Sequence, residues 1–124
     1  MSTVNFFADD HAAAKAWYTE LFGVAPYFDK PGYFEFRLGD HEHEFGVIDG
    51  RYAPHRSPAP AGAIVYWHVD DLQATVDRLL ALGATALEAP TERGPGFVTA
   101  SLADPFGNVL GVMTNSHYLA MLDA

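Results

Sequence analysis

The sequence predicts an α+β fold built from two copies of one unit: strand, helix, three strands. Three observations point to it. An apolar stretch runs into Ala8-Asp9-Asp10 and an alanine-rich helical segment, and in the second half of the chain another runs into Val69-Asp70-Asp71 and a leucine-rich one. Each helical segment stops at a glycine, Gly23 or Gly83, the residue that takes the left-handed conformation at a helix end without steric cost. Each copy then turns to extended patterning and ends in an apolar, glycine-bearing strand, Phe45-Gly46-Val47-Ile48 or Leu110-Gly111-Val112-Met113.

Taken in order, the first helix is capped by Asp9 or Asp10, whose carboxylate can accept from free backbone N–H groups, and its spacing predicts a buried stripe of Ala13, Ala16, Trp17 and Leu21. In Tyr33-Phe34-Glu35-Phe36-Arg37-Leu38 the alternation puts Phe34, Phe36 and Leu38 under a helix and Tyr33, Glu35 and Arg37 on the other sheet face. Leu38-Gly39-Asp40-His41 reads as a hairpin turn. The stretch 50–61, with Pro54, Pro58 and Pro60 and no hydrophobic periodicity, is a linker within one fold, because neither half alone would cover its sheet well. Asp71 caps the second helix, whose stripe is Leu72, Val76, Leu79 and Leu80. Thr91-Glu92-Arg93-Gly94-Pro95-Gly96 reads as a surface loop, and Asp104-Pro105-Phe106-Gly107 places Asp, Pro and Gly where a type I turn wants them. The chain is thus a single domain: a first module over 1–49, the linker, a second module over 62–114 and a tail over 115–124.

Composition narrows the function classes. At 124 residues and 49% hydrophobic, the chain has the size of one domain and core enough to fold without staples. With no cysteine, disulfides and thiolate metal sites are excluded, and no apolar run is long enough to span a membrane. The N-terminus carries no export pattern, which makes the cytoplasm the default compartment. Sixteen acidic residues against seven basic ones give a net charge of −9, which repels nucleic acid and anionic lipid and concentrates cations.

The repeated module, the Asp-Asp helix cap, Ala16-Trp17-Tyr18 before Leu21-Phe22-Gly23, and Asp104-Pro105-Phe106-Gly107-Asn108 before the last strand together resemble the vicinal oxygen chelate superfamily, which includes glyoxalase I, extradiol dioxygenases and bleomycin-resistance proteins. The resemblance covers nearly the whole chain, leaving out the tail. It implies two βαβββ modules forming a curled eight-stranded mixed sheet, a half-barrel with helices on its outer face, a binding site on the concave face, and a homodimer. In metal-dependent members the ligands come from the first and last strands of each module. Those positions fall here on Thr3, Ile64, Gly46 and Gly111, which supply no credible ligand set, so no divalent metal is expected there and no cofactor is implied.

Parity populates the concave face. If those four positions point inward, so do Asn5, Phe7, Glu42, Glu44, Ile48, Tyr66, His68, Val109 and Met113, joined by Tyr33, Glu35, Arg37, Phe97, Thr99 and Ser101. Phe6, Phe45, Val65, Trp67, Leu110 and Val112 fall on the helix side. His41-Glu42-His43-Glu44 reads as a solvated hairpin, because a strand turns its histidines away from its glutamates. The expected ligand-binding set is Phe7, Asn5, Tyr33, Tyr66, Phe97 and Met113, with His68, Glu44 and Glu35 as candidate acid–base residues. Aromatic walls and acidic charge favour a metal-free binding protein for an aromatic or cationic small molecule. The alternatives are a glyoxalase-, isomerase- or dioxygenase-like enzyme, with a displaced metal site or metal-free acid–base catalysis using Glu35, Glu44 and His68, and a regulatory module without a ligand. The tail Tyr118-Leu119-Ala120-Met121-Leu122 offers apolar area for a second copy or for packing on its own chain.

Overall fold

The computed structural model describes residues 2–123 and resolves into two compact units, one ending at Pro58 and one beginning at Ala59. In the first, β1 (Thr3–Ala8) leads to α1 (His11–Phe22), then β2 (Phe28–Lys30), β3 (Tyr33–Leu38), β4 (His43–Asp49) and a short 3-10 turn, Gly50–Tyr52. In the second, β5 (Val65–His68) leads to α2 (Leu72–Ala81), β6 (Thr85–Gly94), β7 (Phe97–Ala103), β8 (Val109–Asn115) and α3 (Ser116–Leu122). Both units therefore have the predicted order of strand, helix, three strands. No helix among the described residues is long and apolar enough to cross a membrane.

The curled eight-stranded sheet is not what the structure contains. The described strands form two four-stranded sheets, β1-β4-β3-β2 and β5-β8-β7-β6, each mixed and each open, with its end strands bonded on one side only. The cause lies in the pairing. Each module's first strand runs parallel to its own last strand, Asn5 opposite Gly46 and Tyr66 opposite Gly111, and all other ladders are antiparallel between neighbours of the same module. Each ladder among the described strands thus joins strands of one module.

In the first unit the core is aromatic. Phe34, Phe36 and Val47 are fully buried, and Phe6 meets Phe45 edge to face at 5.1 Å. The first helix seats Tyr18 and Phe22, one turn apart, against this face: Tyr18 lies 5.1 Å from Phe45, and Phe22 lies 5.1 Å from Phe36. The buried stripe is Ala14 and Tyr18, while Ala13 and Ala16 are exposed and Trp17 is half-buried, so the helix is rotated from the predicted stripe. Alanines carry little contrast, and the bulk of Tyr18 and Phe22 decides which side packs. Asp10 caps the helix by accepting from Ala13 N at 3.0 Å, and Gly23 ends it in the left-handed region at φ 70°.

The second unit repeats the cap, Asp71 accepting from Ala74 N at 3.0 Å, and buries Leu72, Val76 and Leu79 along α2, which packs on β8 and β6. Leu80, predicted in that stripe, is 43% exposed. Residues Thr91–Gly94, expected in a loop, belong to β6, whose ladder with β7 shifts register between Ala86 and Glu88, Glu88 and Thr91, and Glu92 and Gly94. These irregularities let a stretch with weak alternation stay paired. Asp104, buried at the turn into β8, accepts from Phe106 N and Asn108 N at 2.9 and 2.8 Å and from Asn108 Nδ2 at 3.0 Å, which locks the predicted turn.

Candidate functional site

On the sheet face opposite α1, six side chains of the first unit join in one polar network. Asn5, Gly46 and Glu35 are register neighbours across β1, β4 and β3, which is why alternation brings them to one face. Tyr33 Oη donates to Glu35 Oε1 at 2.5 Å and makes a longer contact, 3.4 Å, with Asn5 Oδ1. Arg37 Nε donates to Glu35 Oε2 at 3.0 Å, and its Nη2 lies 3.5 Å from Glu44 Oε2. Glu44 Oε1 accepts from Thr3 Oγ1 at 2.6 Å. The guanidinium also lies over the Tyr27 ring, 4.4 Å from its centroid.

Gly46 makes this arrangement possible. A Cβ there would lie 2.5 Å from Tyr33 Oη and 2.6 Å from Asn5 Oδ1. The network is also ordered electrostatically. Burial first, and then the hydrogen bond to Glu35, raises the Tyr33 phenol above its ordinary value, while the bond to Glu35 raises Arg37 further. Both oxygens of Glu35 and both of Glu44 are engaged by neighbouring side chains. The arrangement offers fixed hydrogen-bonding edges beside aromatic rings. Phe7, opposite Ile48 on the same face as Asn5, is half-buried. Glu42, placed on this face by parity, instead sits in the turn before β4 at φ 51°, since the strand begins only at His43.

An open depression elsewhere in this unit, where Asp9, His11, Lys15, Asp29 and Arg51 meet, has its charges largely paired: Lys15 with Asp29 at 3.0 Å, Arg51 with Asp49 at 3.3 Å and Arg56 with Asp9 at 2.8 Å.

In the second unit, Tyr66 lies over Gly111, where a Cβ would come 2.5 Å from Tyr66 Cδ1 and 2.8 Å from Ile64 Cγ2. Tyr66 is 39% exposed. His68 is opposite Met113, which is in turn opposite Thr99, and Phe97 follows on the same parity. Arg93 Nε donates to Thr99 Oγ1 at 3.1 Å and pairs with Glu88, a contact hidden in the sequence because both residues lie on the irregular strand. His68 stacks on Tyr118 of α3 at 5.4 Å and 26°, and its Nε2 is buried with no hydrogen-bond partner among the described residues. The structure thus gathers Asn5, Tyr33, Glu35 and Glu44 in one unit, and Tyr66, His68, Phe97 and Met113 on one sheet of the other. Sequence reasoning missed the seat of Tyr118 on His68. The only signal for it was an aromatic residue in an apolar tail.

The positions that would hold a metal by resemblance do not fit one. Thr3 is committed to Glu44, and at Gly46 and Gly111 the room for a ligating side chain is filled by Tyr33 with Asn5 and by Tyr66 with Ile64. Among the described residues no three His, Asp or Glu side chains are placed to hold a metal.

Comparison with known proteins adds a family. The profile described as Glyoxalase/Bleomycin resistance protein/Dioxygenase superfamily matches residues 1–112. Among curated proteins there is no significant match. Among solved structures, the chain is similar to a glyoxalase/bleomycin resistance protein/dioxygenase family enzyme from Burkholderia phytofirmans, at 24% identity over 90% of this chain and 95% of that one, TM-score 0.72. It is similar to lactoylglutathione lyase from Agrobacterium tumefaciens, at 22% identity over 95% and 94%, TM-score 0.71. A bleomycin resistance determinant encoded on the transposon Tn5 matches at 22% identity over 94% and 98%, TM-score 0.69. Identities this low show a shared fold, and the profile match across both modules shows that the chain belongs to the glyoxalase/bleomycin resistance protein/dioxygenase superfamily.

Proposed function

We propose that this protein binds a small aromatic or cationic molecule without a metal at the family's usual positions. The observation that carries the reading is the pinned network of the first unit. Glu35 and Glu44 are spent as hydrogen-bond acceptors for Tyr33, Arg37 and Thr3, which makes them fixed recognition groups, whereas acid–base turnover asks for a carboxylate free to take a proton. A net charge of −9 favours cations, and Phe7, Tyr33 and Tyr27 supply aromatic surface beside the carboxylates. In the second unit Tyr66, Phe97 and Met113 line the corresponding face. In this reading the protein is a homodimer, joined through open sheet edges.

A thermal-shift screen of flat aromatic cations and neutral aromatic compounds tests the reading, with Glu35→Gln as the comparison. The expected result is a cation that raises Tm in the wild type and does so less in the variant. No stabilising compound, or turnover of one that depends on Glu35, overturns it. Elemental analysis should find well under one transition metal per chain, and light scattering should give twice the 13.5 kDa chain mass.

A further inference from the structure

His68 ends β5 on the parity of Tyr66, the face that the proposed function assigns to ligand. Its ring is covered by the aromatic side chain of Tyr118, nearly parallel at 26° and 5.4 Å between centroids. The cover matches the ring but not the nitrogen, because Nε2 is buried and has no hydrogen-bond partner among the described residues. A buried imidazole nitrogen left unmatched costs free energy that a better occupant of the same place would recover.

The element carrying Tyr118 is lightly held. No residue of α3 is buried, and Tyr118, Leu119, Met121 and Leu122 are 38 to 56% exposed. What ties the helix down is at its start: Asn115 Oδ1 accepts from His117 N and Tyr118 N at 3.1 and 3.2 Å, and Ser116 N donates to Gly96 O at 2.9 Å. The ring of Tyr118, in the same first turn, lies on His68. An element with so little buried surface opens at low cost.

We propose that the His68 ring is a seat for a flat aromatic ligand bearing a hydrogen-bonding substituent that reaches Nε2, and that Tyr118 occupies this seat in the absence of ligand, which makes α3 a displaceable strap. The inference rests on the reading of this sheet face as a ligand surface. The ligand gains the stacking contact that Tyr118 gives up and adds the hydrogen bond that Tyr118 does not make. Its apparent affinity is reduced by the fraction of molecules in which the strap is closed.

The test uses p-cresol, the tyrosine side chain as a free molecule, and the imidazole Cε1–H resonance of His68 in the full chain, assigned by its loss in His68→Gln. In Tyr118→Ala, p-cresol should shift that resonance saturably at a concentration about tenfold or more below that needed in the wild type, since the competing ring is gone. Leu119→Ala, on the same helix, should behave as wild type. Because no α3 residue is buried, the urea midpoint of Tyr118→Ala should stay near that of the wild type, which confirms that the variant is folded. Equal concentration dependence in wild type and Tyr118→Ala, no saturable shift in the folded Tyr118→Ala, or an equal gain from Leu119→Ala each overturns the proposal. If p-cresol fails while an aromatic cation still stabilises the protein through Glu35, the seat is wrong and the wider reading stands. If p-cresol seats and no cation binds, the reverse holds.

Discussion

Tyr33 occupies the space that a side chain at Gly46 would need: a Cβ there would sit 2.5 Å from the phenolic oxygen. That oxygen is fixed by its hydrogen bond to Glu35, so it cannot retreat freely. Gly46→Ala should therefore destabilise the protein by about 1–3 kcal/mol, read from the urea midpoint at unchanged slope. Tyr33→Ala in the same chain should absorb part of the cost, giving a coupling of roughly 0.5–3 kcal/mol in a double-mutant cycle. Strict additivity would show that the two residues do not compete for one space.

Alkaline pH should report on the same residue. Burial and Glu35 raise the Tyr33 phenol in the folded state above its unfolded value of about 10, so between those two values the folded protein holds a proton that the unfolded chain has lost. Stability from this group is thus fully present below pH 10 and is lost as pH rises through the folded pKa. Tyr33→Phe should remove that part of the alkaline decline. Absorbance at 295 nm should show a tyrosine component that ionises only with unfolding, and that component should be smaller in Tyr33→Phe.

The turn before β8 depends on Asp104, whose carboxylate accepts from two backbone N–H groups and the Asn108 amide. Asp104→Ala leaves part-buried donors unmatched and should cost about 1–3 kcal/mol, whereas Asp104→Asn retains an acceptor and should cost less. Urea denaturation of the two variants decides it, and no loss in either would mean that the backbone holds this turn unaided.

How far the sequence could be read depended on what each pattern encodes. Alternation sorts side chains between two faces, so it placed Phe34 and Phe36 in the core and Tyr33, Glu35 and Arg37 together, which brings the polar network within reach of reading. The aspartate caps and glycine stops were legible because each meets a local backbone need. Lateral pairing is not local. Nothing in alternation says whether two modules share one sheet, and the ladders of β1 with β4 and of β5 with β8 close inside each module. The irregular β6 and the stack of Tyr118 on His68 were hidden for similar reasons, one lacking period and the other joining residues far apart in sequence.

The first helix gives the plainest comparison between pattern and packing. Adjacent aromatics, Trp17 and Tyr18, compete for one buried position, and hydropathy favours Trp17. The structure gives it to Tyr18, fully buried against Phe45, while Trp17 leans on Tyr18 edge-on at 4.8 Å from a half-exposed position. Truncation removes the contacts a ring makes and leaves a cavity only where the surroundings cannot relax. Tyr18→Ala should accordingly cost about 3–5 kcal/mol, near the range for a buried aromatic, and Trp17→Ala clearly less. Paired urea curves measure both. A larger loss for Trp17→Ala would mean that α1 presents the stripe of Ala13, Ala16, Trp17 and Leu21 to the sheet after all.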